Sequence, residues 1–99
     1  QLEFLKQISL NDNKKAIFLN SPEYAKTLIE KADIRNHSKI YCSNQENAIN
    51  KLHEDGYKAS DSFVSGEILE QYSFFTSRFY SAVELDTPDK PDIIMVTDC

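Results

Sequence analysis

Glycine is scarce in this 99-residue chain: only Gly56 and Gly66 occur. No glycine-rich loop can therefore cradle a phosphate, which excludes unaided nucleotide hydrolysis. Cysteine is equally scarce, with Cys42 inside an apolar run and Cys99 at the end. Two such residues make neither a disulfide framework nor a metal signature, and they fit a reduced, cytoplasmic setting. Positive charge is in short supply, with 11 Lys and Arg against 16 Asp and Glu and a net charge of -5. That balance argues against a general nucleic-acid coating protein, whose affinity rests on neutralising phosphates, but it leaves room for a local phosphate site. No apolar run approaches the roughly 20 residues of a membrane helix, and no signal-peptide pattern opens the chain. What remains is the composition of a folded globular protein, 40% hydrophobic and 27% charged. Its length suits a single domain, residues 1–99. Because it opens at Gln1, we read it as a piece of a longer protein.

Residues 1–13 form a helical and polar lead-in. Leu2, Leu5 and Ile8 recur at helical spacing before the polar stretch "NDNKK" breaks the pattern. Four short apolar runs follow: "AIFLN", "KIYCS", "SFFTS" and "DIIMVTD". They are continuous in apolarity, as expected of strands covered on both faces of a parallel sheet. Between them lie helical signals. "SPEYAKTLIEKA" offers Ser21 as N-cap and Pro22 at the first helical position, with Tyr24, Ala25, Leu28, Ile29 and Ala32 on one stripe. "SNQENAINKLHEDG" carries a capping-box pattern, Ser43 with Glu46, and Gly56 fits the left-handed position past its end. A shorter helix is expected across "GEILEQY", with Ile68, Leu69 and Tyr72 inward. "GYKASDSFVS" reads as a short strand or irregular loop, and "TPDKP" as a surface turn. Alternating strands and helices predict an α/β domain with right-handed crossovers.

Three of the apolar runs end in hydroxyls, at Ser21, at Ser43, and at Thr76 with Ser77. In a parallel sheet these ends share the carboxyl edge, where α/β folds bind ligands. Helix N-termini there present N–H groups suited to anions, and the Arg78 guanidinium matches phosphate geometry. Ser21, Ser43, Thr76, Ser77 and Arg78 are thus candidate phosphate contacts. Ser21 and Ser43 are also ordinary helix caps. Phe79 and Tyr80 pack on the sheet or, in the sharper reading, stack on a base. His37 and His53 lack partners at metal spacing and read as exposed polar residues. Cys42 has no downstream Arg at the spacing of a phosphate-cradling cysteine loop, so it reads as a small buried hydrophobe. Asp98 ends its run as catalytic carboxylates can. A small enzyme built on Asp98, His53 or Cys42 is a third-ranked reading, because no two of them form a recognisable pair.

The order of segments resembles the second, C-terminal RecA-like lobe of superfamily 2 DEAD/DEAH-type helicases. "KAIFLNS" is similar to motif IV. "FFTSRFYSAVEL" aligns without gaps on the motif V pattern vLvaTdvaarGiDi. Thr76 then falls on the family threonine and Ser77 on its aspartate. Ala82 falls on the glycine, Glu84 on the second aspartate, and Val83 and Leu85 on apolar positions. "DIIMVTD" resembles the following "VinyD" strand, with Asp98 at its end. The resemblance spans residues 14–99. Ala82 and Glu84 depart from the family pattern, which points to a divergent branch.

The resemblance implies a three-layer, parallel-sheet RecA-like domain of the P-loop NTPase type. It implies that Ser21, Thr76, Ser77 and Arg78 grip the sugar-phosphate backbone of DNA or RNA, and that Ala82 and Glu84 face the nucleotide cleft. ATP and Mg²⁺ would be held only through an N-terminal RecA-like lobe that is not in this sequence. The arginine-finger motif would follow just after Cys99. Under this reading the chain is not catalytic alone and serves strand grip and ATP coupling in a helicase or translocase. The alternative is a stand-alone α/β binding or regulatory module for protein interaction. A receiver domain has the right size, but "IFLNS" lacks the acidic pair that phosphoacceptor chemistry needs.

Overall fold

A computed structural model describes residues 2–63, 70–76, 79 and 91–96. In chain order these form α1 (Leu2–Ile8), β1 (Lys15–Leu19), α2 (Pro22–Ala32), β2 (Ser38–Tyr41), α3 (Ala48–Glu54), β3 (Lys58–Ser60), β4 (Tyr72–Thr76) and β5 (Asp92–Met95). Short 3-10 turns at Arg35–His37 and Gln45–Asn47 lead into β2 and α3. The strands make one sheet in the order β3-β2-β4-β1-β5, with every pairing parallel. The α/β expectation therefore holds. Among the described residues no helix is long and apolar enough to cross a membrane.

The strand order explains the continuous apolarity of "AIFL". β1 lies between β4 and β5, and all five of its residues are buried. Alternate residues feed two separate cores. Ile17, Leu19, Ile40, Phe74 and Ile94 face α1, α2 and α3, which contribute Phe4, Ile8, Ala25, Leu28, Ile29 and Leu52. On the other face Ala16, Phe18, Tyr41 and Phe75 meet Phe63 and Phe79. Tyr41 stacks on Phe75 with centroids 4.7 Å apart and planes within 9°. Phe79 thus packs on the sheet, the plainer of its two readings.

Local signals start and stop the helices. Ser21 is extended, and its Oγ accepts from the Tyr24 N–H at 3.2 Å, with Pro22 in the first turn. Gly56 adopts φ +93°, and the Tyr57 N–H donates to the Leu52 carbonyl across it at 2.9 Å, closing α3 in the left-handed manner expected. Two expectations fail. Tyr72 is not the inward end of a helix: it opens β4, opposite Lys15 and Ser38, because strand pairing outweighs its local helical spacing. Residues 66–69 of that expected helix lie outside the described residues, as does the "TPDKP" turn apart from Pro91. The Ser43–Glu46 capping box does not form either. Glu46 and Asn47 both sit in the left-handed region (φ 53° and 64°), and α3 begins only at Ala48. Asn44 supplies the bond instead, its Oδ1 accepting from the Ile49 N–H at 2.9 Å.

At the amino edge the first core holds a charge. Lys15 is 1% exposed. Its Nζ donates to the Asn11 side-chain oxygen at 2.8 Å, to the Asn11 carbonyl at 3.3 Å and to the Asn13 carbonyl, and it lies 3.6 Å from the Asp92 carboxylate. Gln71 Nε2 donates to the Asp12 and Asn13 carbonyls, so the "NDN" turn is tied to β1, to the start of β4 and to β5. Partial desolvation pushes the Asp92 carboxyl up. Hydrogen bonds from Asn11 and Asn13 and the Lys15 charge more than offset this and hold it below its ordinary value. A depressed folded-state value gives stability that is present above the unfolded pKa of about 3.9 and is lost as pH falls through the folded value. Asp92→Asn removes that contribution at neutral pH. The melting-temperature gap between wild type and variant is expected to narrow from about pH 6 to about pH 3. A gap that stays constant across thermal melts in that range would rule the linkage out.

Candidate functional site

The carboxyl edge of the sheet is where the topology opens. β1 and β2 are followed by α2 and α3, both packed on the first face. β4 lies between β1 and β2, and the chain after it places Phe79 on the second face. Adjacent parallel strands whose continuations leave to opposite faces part at their carboxyl ends, and such crevices are where open α/β sheets bind ligands. A cleft of about 350 Å³ occupies this position. It falls toward the lower end of the roughly 300–1,000 Å³ typical of small-molecule sites.

The three strand ends supply its walls. Asn20 follows β1, Cys42 and Ser43 follow β2, and Thr76 ends β4. Pro22 and Glu23 of α2, with Gln45, Glu46 and Ala48 before and at the start of α3, complete the lining. The groove between α2 and α3, about 220 Å³, shares Glu23 and Glu46 with the cleft and continues to Lys26, Lys51 and Asp55. Thr76 Oγ1 lies 3.5 Å from the Tyr41 carbonyl and donates toward it, which leaves its lone pairs for the cleft.

Of the candidate contacts read from the sequence, Ser43 and Thr76 line this cleft together. Ser21 does not: its hydroxyl is engaged as the α2 cap, between the lining residues Asn20 and Pro22. Ser77, Arg78, Tyr80, Ala82, Glu84 and Asp98 lie outside the described residues. Cys42 is buried in the cleft wall. His53 is exposed, and its Nε2 lies 3.0 Å from the Ala59 carbonyl, away from the cleft. His37 is exposed as well.

The cleft is less friendly to anions than its helices promised. Pro22 has no N–H, and that of Tyr24 is taken by Ser21, so the start of α2 offers few donors. The charged side chains in the lining, among the described residues, are both carboxylates, Glu23 and Glu46. Sequence reasoning missed Asn20, Glu23, Gln45 and Glu46 as site residues. The "NQEN" run was the available signal, since Asn tolerates left-handed turns and so can hold Glu46 at a strand end. Among the described residues no group of three His, Cys, Asp or Glu side chains is placed to hold a metal.

Fold and cleft together define an all-parallel α/β domain with a polar cleft at the carboxyl edge of its sheet. The chain matches no protein family model, no curated protein and no solved structure.

Proposed function

We propose that this chain is the nucleic-acid-gripping lobe of an ATP-dependent helicase or translocase, a divergent RecA-like second lobe. ATP and Mg²⁺ enter through a partner RecA-like lobe, and this lobe couples its closure to movement along one strand. The observation that supports the reading is adjacency. The strands resembling motifs IV and V are β1 and β4, direct neighbours in register from Lys15 opposite Tyr72 to Leu19 opposite Thr76. With β2 on the other side of β4, Ser43 and Thr76 meet at one cleft.

Fluorescence anisotropy with a labelled single-stranded oligonucleotide tests this. The chain is expected to bind at low salt and to weaken as salt rises. Ser43→Ala combined with Thr76→Ala should cost roughly tenfold in affinity, about 1 kcal/mol or slightly more for the lost hydrogen bonds. Absence of binding, or affinity indifferent to the double substitution, overturns the reading. A stand-alone protein-interaction module is the second reading. The net charge of -5 favours it, as do Ile93 and Met95, which are 48% and 63% exposed on the edge strand β5. It expects no response to oligonucleotide.

A further inference from the structure

β5 closes one side of the sheet, with no strand beyond it among the described residues. Its Asp92 N–H donates to the Lys14 carbonyl at 2.8 Å, and the Val96 N–H donates to the Phe18 carbonyl at 2.9 Å. Backbone direction alternates along a strand. Asp92, Ile94 and Val96 therefore turn toward β1, while the N–H and C=O of Ile93 and Met95 point outward. The same two residues carry exposed side chains. They lie in register with Ala16 and Phe18 on the second face, whereas Ile94 joins the first core. Proteins usually blunt such an edge with a charge or a proline. Residues 93–96, "IIMV", hold neither.

We propose that β5 pairs with β5 of a second copy of this chain, antiparallel about a two-fold axis through Ile94. This goes beyond the strand-grip reading and does not depend on what the carboxyl-edge cleft binds. The axis sets Ile93 opposite Met95 of the second copy, and Met95 opposite its Ile93. Both are hydrogen-bonded positions, so the outward groups of the two strands satisfy one another. Residues directly opposite in an antiparallel pair share a face, so the exposed side chains cover each other. The other two-fold alignments fit less well. Centred on Ile93, the ladder sets Met95 against Pro91, which has no N–H. Centred on Met95, it sets Ile93 against Thr97 instead of an apolar residue. Charge also permits the seam. Asp92 falls opposite Val96, roughly 14 Å along the ladder from Asp92 of the second copy. Its carboxylate already has Lys15 at 3.6 Å. Two copies of net charge -5 repel at long range, so salt should favour pairing. A four-residue strand makes a seam smaller than the roughly 1,200 Å² of standard interfaces, which sets a Kd on the order of 100 µM.

Sedimentation equilibrium of the full chain from about 10 µM to about 1 mM, at low and high salt, tests the pairing. The expected result is a monomer–dimer equilibrium that tightens with salt, the reverse of nucleic-acid binding. Met95→Lys and Ile93→Glu should each weaken it about tenfold or more, through lost apolar burial. The double variant Ile93→Glu/Met95→Lys should pair more tightly than either single one, because each glutamate then faces a lysine of the second copy. Leu10→Lys, at an exposed apolar position outside β5, should leave the equilibrium unchanged. A monomer at every concentration overturns the inference. Association beyond two copies does so as well, since a two-fold seam closes on itself. A dimer indifferent to the single substitutions forms elsewhere and also overturns it. A double variant no tighter than the single ones rejects the alignment, and the inference with it.

Discussion

Phe75→Ala is expected to destabilise the domain by about 3–5 kcal/mol, the cost of truncating a fully buried ring. Phe75 is the hub of the second core. Its ring meets Phe18 at 5.5 Å, Tyr41 at 4.7 Å, Phe63 at 5.3 Å and Phe79 at 6.1 Å. Each well-oriented aromatic pair adds about 0.5–1.5 kcal/mol beyond the buried area, so the loss belongs at the upper end of the range. The site also collapses poorly, because β4 is hydrogen-bonded on both sides and cannot shift to close the void. Domains of this kind are stable by only about 5–15 kcal/mol, so the variant would be folded marginally. Urea unfolding gives the measurement. A loss below about 1 kcal/mol would mean that the ring stack is not what holds this face.

Lys15→Met carries the second large effect, an expected loss of about 2–4 kcal/mol. Methionine preserves much of the volume, so the test isolates the ammonium. Replacing both halves of a buried ion pair by apolar groups is often harmless or stabilising. Here only one half goes. The Asn11 carbonyl loses its donor and the Asn13 carbonyl keeps only the Gln71 Nε2 bond, and an unmet acceptor costs about 1–3 kcal/mol. Asp92 matters less to this loss, since its side chain is 39% exposed and water can replace the lysine there. The midpoint of urea unfolding reports the change. Unaltered or higher stability would show that water reaches the turn and satisfies its carbonyls.

Lys15 also marks the limit of what the sequence disclosed. A lysine that closes a polar stretch just before an apolar run reads as a strand boundary, and only the turn that folds back over it makes it a core residue. The start of α2 was legible because Ser21 and Pro22 act on their own few neighbours. The strands were legible for a similar reason, since burial on both faces leaves unbroken apolar runs. Tyr72 was misplaced because its helical spacing is local while its pairing with Lys15 and Ser38 is not. Ser43 was misplaced by competition: Glu46 and Asn47 turn left-handed and Asn44 Oδ1 takes the Ile49 N–H, so the helix starts several residues later. Part of the candidate site could be read in advance. The shared carboxyl edge follows from parallel strands, and Ser43 and Thr76 do share a cleft. Its acidic character could not be read, because Glu23 and Glu46 reach it only when α2 and α3 pack on the same face.

The interior position of β1, between β4 and β5, has a consequence for how the chain reaches this fold. β1 is made early, yet its neighbours are β4 and β5, and the Asn13–Asp92 hydrogen bond beside it spans 79 residues. Both strand partners of β1 thus arrive late in synthesis, and closing such long loops precedes any reward in contacts. Folding should be slow for a domain of this length, as high contact order dictates. Until β4 docks, "AIFL" is an unpaired apolar strand, the segment by which a newly made chain would aggregate or engage a chaperone.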